Sequence, residues 1–108
     1  MLSRDIHYGK PTVTNAINHL EIFLKSVKNK EKIVEVITGY GSSGGTHKIK
    51  TAVEEYLLNL KEKHYIKDYI WGNELDLFNP KYLNIKYKDL IPSSEKIKLN
   101  KGSVYIIL

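Results

Sequence analysis

Apolar side chains recur along this chain in two rhythms, one helical and one extended. From Val13 they fall at Val13, Ala16, Ile17, Leu20, Leu24 and Val27, the three-and-four spacing of a single helix face. A second stripe of the same period runs through Ile49, Ala52, Val53, Tyr56, Leu57 and Leu60. Between the two lies Ile33-Val34-Glu35-Val36-Ile37, short and β-branched apart from one glutamate, which predicts a largely buried strand. Ile6, flanked by polar residues, predicts a short strand over residues 4–7, and residues 65–71 alternate as a further strand. Ser103-Val104-Tyr105-Ile106-Ile107-Leu108 predicts the last. Gly9 and Pro11 break the chain after the first strand, and Thr12 is placed to cap the helix that follows.

The predicted order is β-α-β-α-β-β. Successive βαβ units imply crossovers of one hand and strands that run mostly in one direction. The expected architecture is therefore an α/β two-layer sandwich, with both helices on one face of a mixed, mostly parallel four-stranded sheet. Length adds one constraint: 108 residues make a single domain with one shared core. Residues 73–101 fit the pattern least well. Lys81 to Lys88 alternates enough for an extra strand, while Pro80 and Pro92-Ser93-Ser94 mark turns. A lysine-rich insertion, as a hairpin or an extended basic loop, is the expectation there.

Composition narrows the chemistry. With no cysteine there is no disulfide framework, thiolate metal site or thiol nucleophile. No apolar run approaches the roughly 20 residues that span a bilayer, and the first ten residues lack the apolar core of a secretory signal. The expectation is a cytoplasmic monomer with no membrane partner. The net charge of +5 favours a polyanionic partner. Most of that excess lies in residues 77–108, where six lysines face Asp89 and Glu95. The one arginine is Arg4, so the positive charge is carried by lysines, which suit phosphate contacts better than base reading.

Two motifs carry chemistry. In Asp5-Ile6-His7 an extended backbone projects Asp5 and His7 from the same face, a carboxylate beside an imidazole, which is a common acid–base arrangement. The pair also occurs in plain surface turns, and as a metal site it offers two ligands with no third nearby in sequence. The second motif is the run Thr38-Gly39-Tyr40-Gly41-Ser42-Ser43-Gly44-Gly45-Thr46, between a strand and a helix. Glycines let the backbone approach an anion, and the amides of a helix start point towards it. The run matches neither a Walker loop nor a dinucleotide fingerprint. Lys48 and Lys50 follow in the first helical turns, where positive charge opposes the helix dipole unless an anion binds. Ends of neighbouring parallel strands open on one sheet edge, so both motifs are expected to face one cleft.

At these motifs the chain resembles the Smr (small MutS-related) domain family. Asp5-Ile6-His7-Tyr8-Gly9 resembles the family's Asp-Leu-His-Gly motif, with Tyr8 displacing the glycine by one. Thr38-Gly39-Tyr40-Gly41 resembles its second motif, with Tyr40 where a basic residue is usual, and Gly102-Ser103-Val104-Tyr105-Ile106 resembles its last strand. The resemblance implies a fold like the carboxy-terminal domain of translation initiation factor three. It also implies endonuclease activity, on DNA in some members and on messenger RNA at ribosomes in others. His7 would then be catalytic and Asp5 would orient it. The amides of Gly39, Gly41, Gly44 and Gly45, the hydroxyls of Thr38, Ser42 and Ser43, Tyr40, and the ammonium groups of Lys48 and Lys50 would form the nucleic-acid-binding surface. No cofactor follows for RNA, where the 2′-hydroxyl is the nucleophile; on DNA, where water must attack, a divalent metal would help. With no carboxylate cluster for two metals, RNA is the favoured substrate.

Two other classes fit the same residues. One is a non-catalytic RNA- or ribosome-binding module that uses the glycine run and the lysine-rich insertion for phosphates. The other is a protein-interaction domain that uses Tyr82, Leu83 and Tyr87. The aromatic row Tyr65, Tyr69 and Trp71 is expected to pack against a helix rather than stack bases, and His19 to lie in solvent.

Overall fold

The computed structural model describes residues 1–39, 47–76, 79–84 and 86–108. Four strands, β1 (Leu2–Asp5), β2 (Ile33–Ile37), β3 (Asp68–Trp71) and β4 (Ser103–Ile107), form one sheet in the order β1-β2-β4-β3. β1 pairs with β2 in parallel, while β4 runs antiparallel to both β2 and β3. Three strands thus share a direction, and the last is inserted between two of them against that direction. This is the expected mixed α/β sheet.

Helices α1 (Val13–Val27) and α2 (His47–Glu62) pack together on one face. α1 begins where Thr12 Oγ1 accepts the Asn15 amide at 3.1 Å, as the sequence predicts. Its buried stripe of Ala16, Leu20, Phe23, Leu24 and Val27 meets Val34 and Val36 of β2, Val104 and Ile106 of β4, and Val53 and Leu57 of α2. Each such aliphatic side chain contributes about 1.5–3 kcal/mol by leaving water, and together they fix the helices on the sheet. His19 is exposed, as expected.

The third strand is shorter than its alternation suggests. His64 has a left-handed backbone with φ 61°, and the amides of Tyr65 and Ile66 both donate to the Leu60 carbonyl at the end of α2. Amides spent on closing a helix cannot join a ladder. β1 likewise starts earlier than predicted and ends before His7, although the Ile6 amide continues the pairing by donating to Ile37 O at 3.0 Å.

The reverse face of the sheet carries the residues that sequence patterning left as a hairpin or loop. They form short helices, α3 (Pro80–Asn84) and α4 (Ser93–Lys98), and two 3-10 turns at Gly72–Glu74 and Lys88–Leu90. Asn79 Oδ1 accepts the Lys81 amide at 2.9 Å and Pro80 occupies the first helical position, a combination that starts a helix where alternation suggested a strand. Leu75, Tyr82 and Ile91 bury against Ile33, Ile70, Tyr105 and Ile107 in a second, smaller core. Tyr82 is 5% exposed, so it is not available as the surface contact considered above.

Candidate functional site

Because β4 runs against the other strands, it begins where β1, β2 and β3 end. Asp5 lies opposite Ile37, Ile37 opposite Ser103, and Trp71 opposite Val104. One edge of the sheet therefore collects the turns after β1, β2 and β3 and the turn before β4.

Asp5 Oδ1 accepts the backbone amide of His7 at 2.9 Å, which closes a small turn at the end of β1. The same oxygen lies 2.6 Å from His7 Nδ1, a buried atom approached from the side rather than along a linear hydrogen bond. The contact is a close juxtaposition of carboxylate and imidazole superimposed on a turn. It occupies Nδ1, and Nε2 is the nitrogen left for a substrate. Both side chains are about one-third exposed, so the pair is neither sealed in the core nor free in solvent.

His7 rests on the second motif. Gly39 has φ +69°, and a Cβ built on it would lie 2.9 Å from His7 Cδ2 and 3.1 Å from Nε2. A Cβ on Gly102 would in turn lie 3.0 Å from the Gly39 carbonyl carbon. Imidazole, Gly39 backbone and Gly102 backbone are stacked in that order, with glycine at both positions where a side chain would part them. The spacing between strands two and four is held by Thr38, whose amide donates to Gly102 O at 2.7 Å. Asn100 Oδ1 accepts the Gly102 amide at 2.8 Å and shapes the approach to β4. Asn100 lies outside the motifs read from sequence, although Asn-Lys-Gly is an ordinary turn signature.

Other candidates fall differently. The Thr38 side chain is fully buried, and its hydroxyl donates to the carbonyls of Gly39 at 2.8 Å and Gly102 at 3.3 Å. It braces the turn instead of facing a phosphate, because a buried hydroxyl takes the nearest acceptor. Lys50 Nζ donates to the Lys101 carbonyl at 2.8 Å and lies 4.7 Å from the centre of the Trp71 ring. Burial pulls its ammonium below the ordinary lysine range. Lys50 thus ties α2 to the turn before β4 at the same edge. Lys48 is exposed near the start of α2. Tyr40, Gly41, Ser42, Ser43, Gly44 and Gly45 lie outside the described residues.

Tyr69 and Trp71 turn towards α2, where the Tyr69 hydroxyl and the Trp71 indole N–H both donate to the Glu54 carboxylate. They are packing residues, as expected. For a metal, Asp5 and His7 are two donors already engaged with each other, and no group of three or more His, Asp or Glu side chains is gathered among the described residues. Two side chains engaged with each other do not by themselves make a divalent-ion site.

No family model, curated protein or solved structure matches the chain. Among the described residues no helix is long and apolar enough to cross a membrane.

Proposed function

We propose that this chain is an endonuclease that cleaves RNA phosphodiester bonds at the edge where His7 lies on Gly39, acting in the cytoplasm and at ribosomes. The observation that carries this reading is the convergence of the two sequence motifs: an imidazole paired through Nδ1 with Asp5 sits directly on the first glycine of the glycine-rich run. His7 Nε2 takes the proton of a 2′-hydroxyl, and that oxygen attacks the adjacent phosphorus. The bond to the 5′-oxygen breaks, the departing oxygen acquires a proton, and the products are a 2′,3′-cyclic phosphate and a 5′-hydroxyl. Asp5 Oδ1, 2.6 Å from Nδ1, favours a proton on that nitrogen and so leaves the lone pair at Nε2. Beside the pair, Tyr8 is 87% exposed and offers a ring for an unpaired base, a contact that motif reading did not single out. The chain's net charge of +5 supports a phosphate-bearing substrate.

The test is cleavage of matched single-stranded RNA, duplex RNA and supercoiled DNA, with magnesium and with chelator, by wild type and His7→Ala. The expected result is chelator-resistant cleavage of RNA that leaves cyclic phosphate ends and disappears in the variant while binding survives. Equal cleavage by both proteins would sink the assignment of His7. Absence of cleavage with salt-sensitive RNA binding intact would favour the second reading, a non-catalytic RNA- or ribosome-binding module. The basic excess of residues 77–108 supports that second reading.

A further inference from the structure

At the end of the sheet opposite His7 the chain forms a groove of about 600 Å³. Its floor is the end of β4, Ile107 and Leu108. The floor is held on both sides, since the Lys67 amide donates to Ile107 O at 2.8 Å and the Leu108 amide donates to Lys32 O at 2.9 Å. One wall is the tight turn after α1, in which the amides of Lys30 and Glu31 both donate to Val27 O at 3.0 Å. The other wall comes from the segment between β3 and β4, on the reverse face. Five lysines line the groove (Lys28, Lys30, Lys32, Lys67 and Lys86) against two carboxylates, Glu31 and Asp89. Lys28 Nζ donates to Leu108 O at 3.3 Å on the groove floor. The ion pairs among the described residues engage Lys25, Lys61, Lys81 and Lys98, and none of these lines the groove.

The groove's lysines outnumber its carboxylates five to two, so an anion entering it meets a locally positive field. The groove has the size of a small-ligand site, larger than one phosphate needs. Its lysines are compact point charges, suited to phosphate, whereas peptide carboxylates are best held by arginine forks. Arg4, the chain's one arginine, packs over the Phe23 ring at 5.2 Å, on the helix-covered face. Half-buried Tyr87 adds an aromatic ring to the lining, with Lys67 Nζ 5.7 Å from its centre. Ring and ammonium together match a base and its phosphate.

We infer that this groove is a binding site for a single-stranded nucleic acid segment, separate from the His7 edge. It lies about 15 Å away, the rise of a five-residue strand. The inference does not require His7 to be catalytic.

The experiment is fluorescence anisotropy of a labelled 2′-O-methyl oligouridine, which lacks the attacking hydroxyl, titrated with the full chain over a sodium chloride series. Lys30→Glu combined with Lys32→Glu is expected to weaken binding at least tenfold. It should also flatten the salt slope by about 1.4, the loss of two contacts on a single strand. Lys86→Glu, on the other wall, is expected to weaken binding too. Lys63→Glu, an exposed lysine outside the groove, should stay within about twofold of wild type. Circular dichroism of each variant separates lost binding from lost fold. Groove variants that are folded and bind like Lys63→Glu would overturn the proposal. So would wild type that ignores the oligonucleotide, or that binds an oligoglutamate of equal charge as tightly.

Discussion

The imidazole of His7 lies so close to Gly39 that a methyl group on that α-carbon would come within 2.9 Å of Cδ2. Gly39→Ala therefore meets two obstacles, the contact itself and a backbone at φ +69°. The left-handed conformation alone costs a non-glycine residue about 1–2 kcal/mol. Urea unfolding should show a loss of about that size. The proposed nuclease activity should fall further than the lost stability explains, because the ring has to move. Unchanged activity in a folded Gly39→Ala protein would mean that the position of His7 on the glycine does not matter.

Asp5→Asn separates orientation from charge. The amide oxygen can still accept the His7 backbone N–H, so the turn survives, but the imidazole loses its carboxylate. Cleavage is expected to drop by about 10²–10⁴-fold, the range of one acid–base group, with RNA affinity within twofold of wild type. Asp5→Ala should also lower stability, since the His7 amide loses its acceptor. Rates measured alongside melting curves distinguish the two variants.

Glu54 accepts from two buried side chains at once, Tyr69 and Trp71. Glu54→Ala strands both donors and is expected to cost about 2–4 kcal/mol. Tyr69→Phe removes one donor and should cost about 1 kcal/mol. Denaturant unfolding of the two variants checks the ratio, and a Glu54→Ala protein as stable as wild type would remove Glu54 from the core network.

The pH dependence of stability follows from the reverse face. The Tyr105 hydroxyl donates towards Glu95 at 3.2 Å and lies 3.4 Å from Glu35, and Lys98 pairs with Glu95 at 2.8 Å. The hydrogen bond from Lys98, with help from Tyr105, holds the Glu95 carboxyl below its ordinary value. A depressed folded value gives stability that is present above the unfolded value and is lost as pH falls through the folded one. Glu95→Gln should therefore flatten the acid limb of the stability curve below about pH 4.5. On the alkaline side, burial foremost raises both Tyr69 and Tyr105 well above the ordinary tyrosine value of 10.0. The unfolded chain releases those protons first, so stability should fall as pH rises past about 10. Urea midpoints from pH 3 to pH 11 test both limbs.

Gly72 has no spare room. A Cβ there would collide with the backbone oxygen of Asn100, and backbone cannot swing aside as a side-chain tip can. Gly72→Ala is expected to be the most damaging of these glycine substitutions, above about 3 kcal/mol, because it pushes the start of the inserted segment off the turn that leads into β4. A melting temperature near that of wild type would show that the two segments are not held together there.

Both long helices, β2 and β4 were legible because their side chains repeat with one period over enough residues to exclude the other. The Asp5–His7 pair and its nearness to Gly39 were legible too, since strand ends on one sheet edge converge by topology. Thr38 was misread: a threonine beside a glycine run looks like a phosphate donor, and nothing in its local sequence shows that Gly102 arrives from β4 to claim its hydroxyl. The insertion was misread for a related reason. Tyr82 and Tyr87 each pack on a sheet face made by residues far along the chain, so their alternation carried no information about local backbone. In the sequence Pro80 marks only a turn, and the helix start made by Asn79 and Pro80 emerges in the structure.

The placement of β4 has a consequence for how the protein is made. A chain that emerges from its amino terminus has β1, both long helices and the inserted segment synthesised before β4 exists. Until then β3 has no strand neighbour among the described residues, because it pairs with β4, and Ile33 and Ile70 of the second core await Tyr105 and Ile107. The sheet thus closes only once β4, the last of its four strands in chain order, has been made. A message cut or a synthesis halt before residue 103 would yield a product with two further open strand edges and an uncovered apolar face, ready to aggregate or be degraded instead of persisting as a partly working protein.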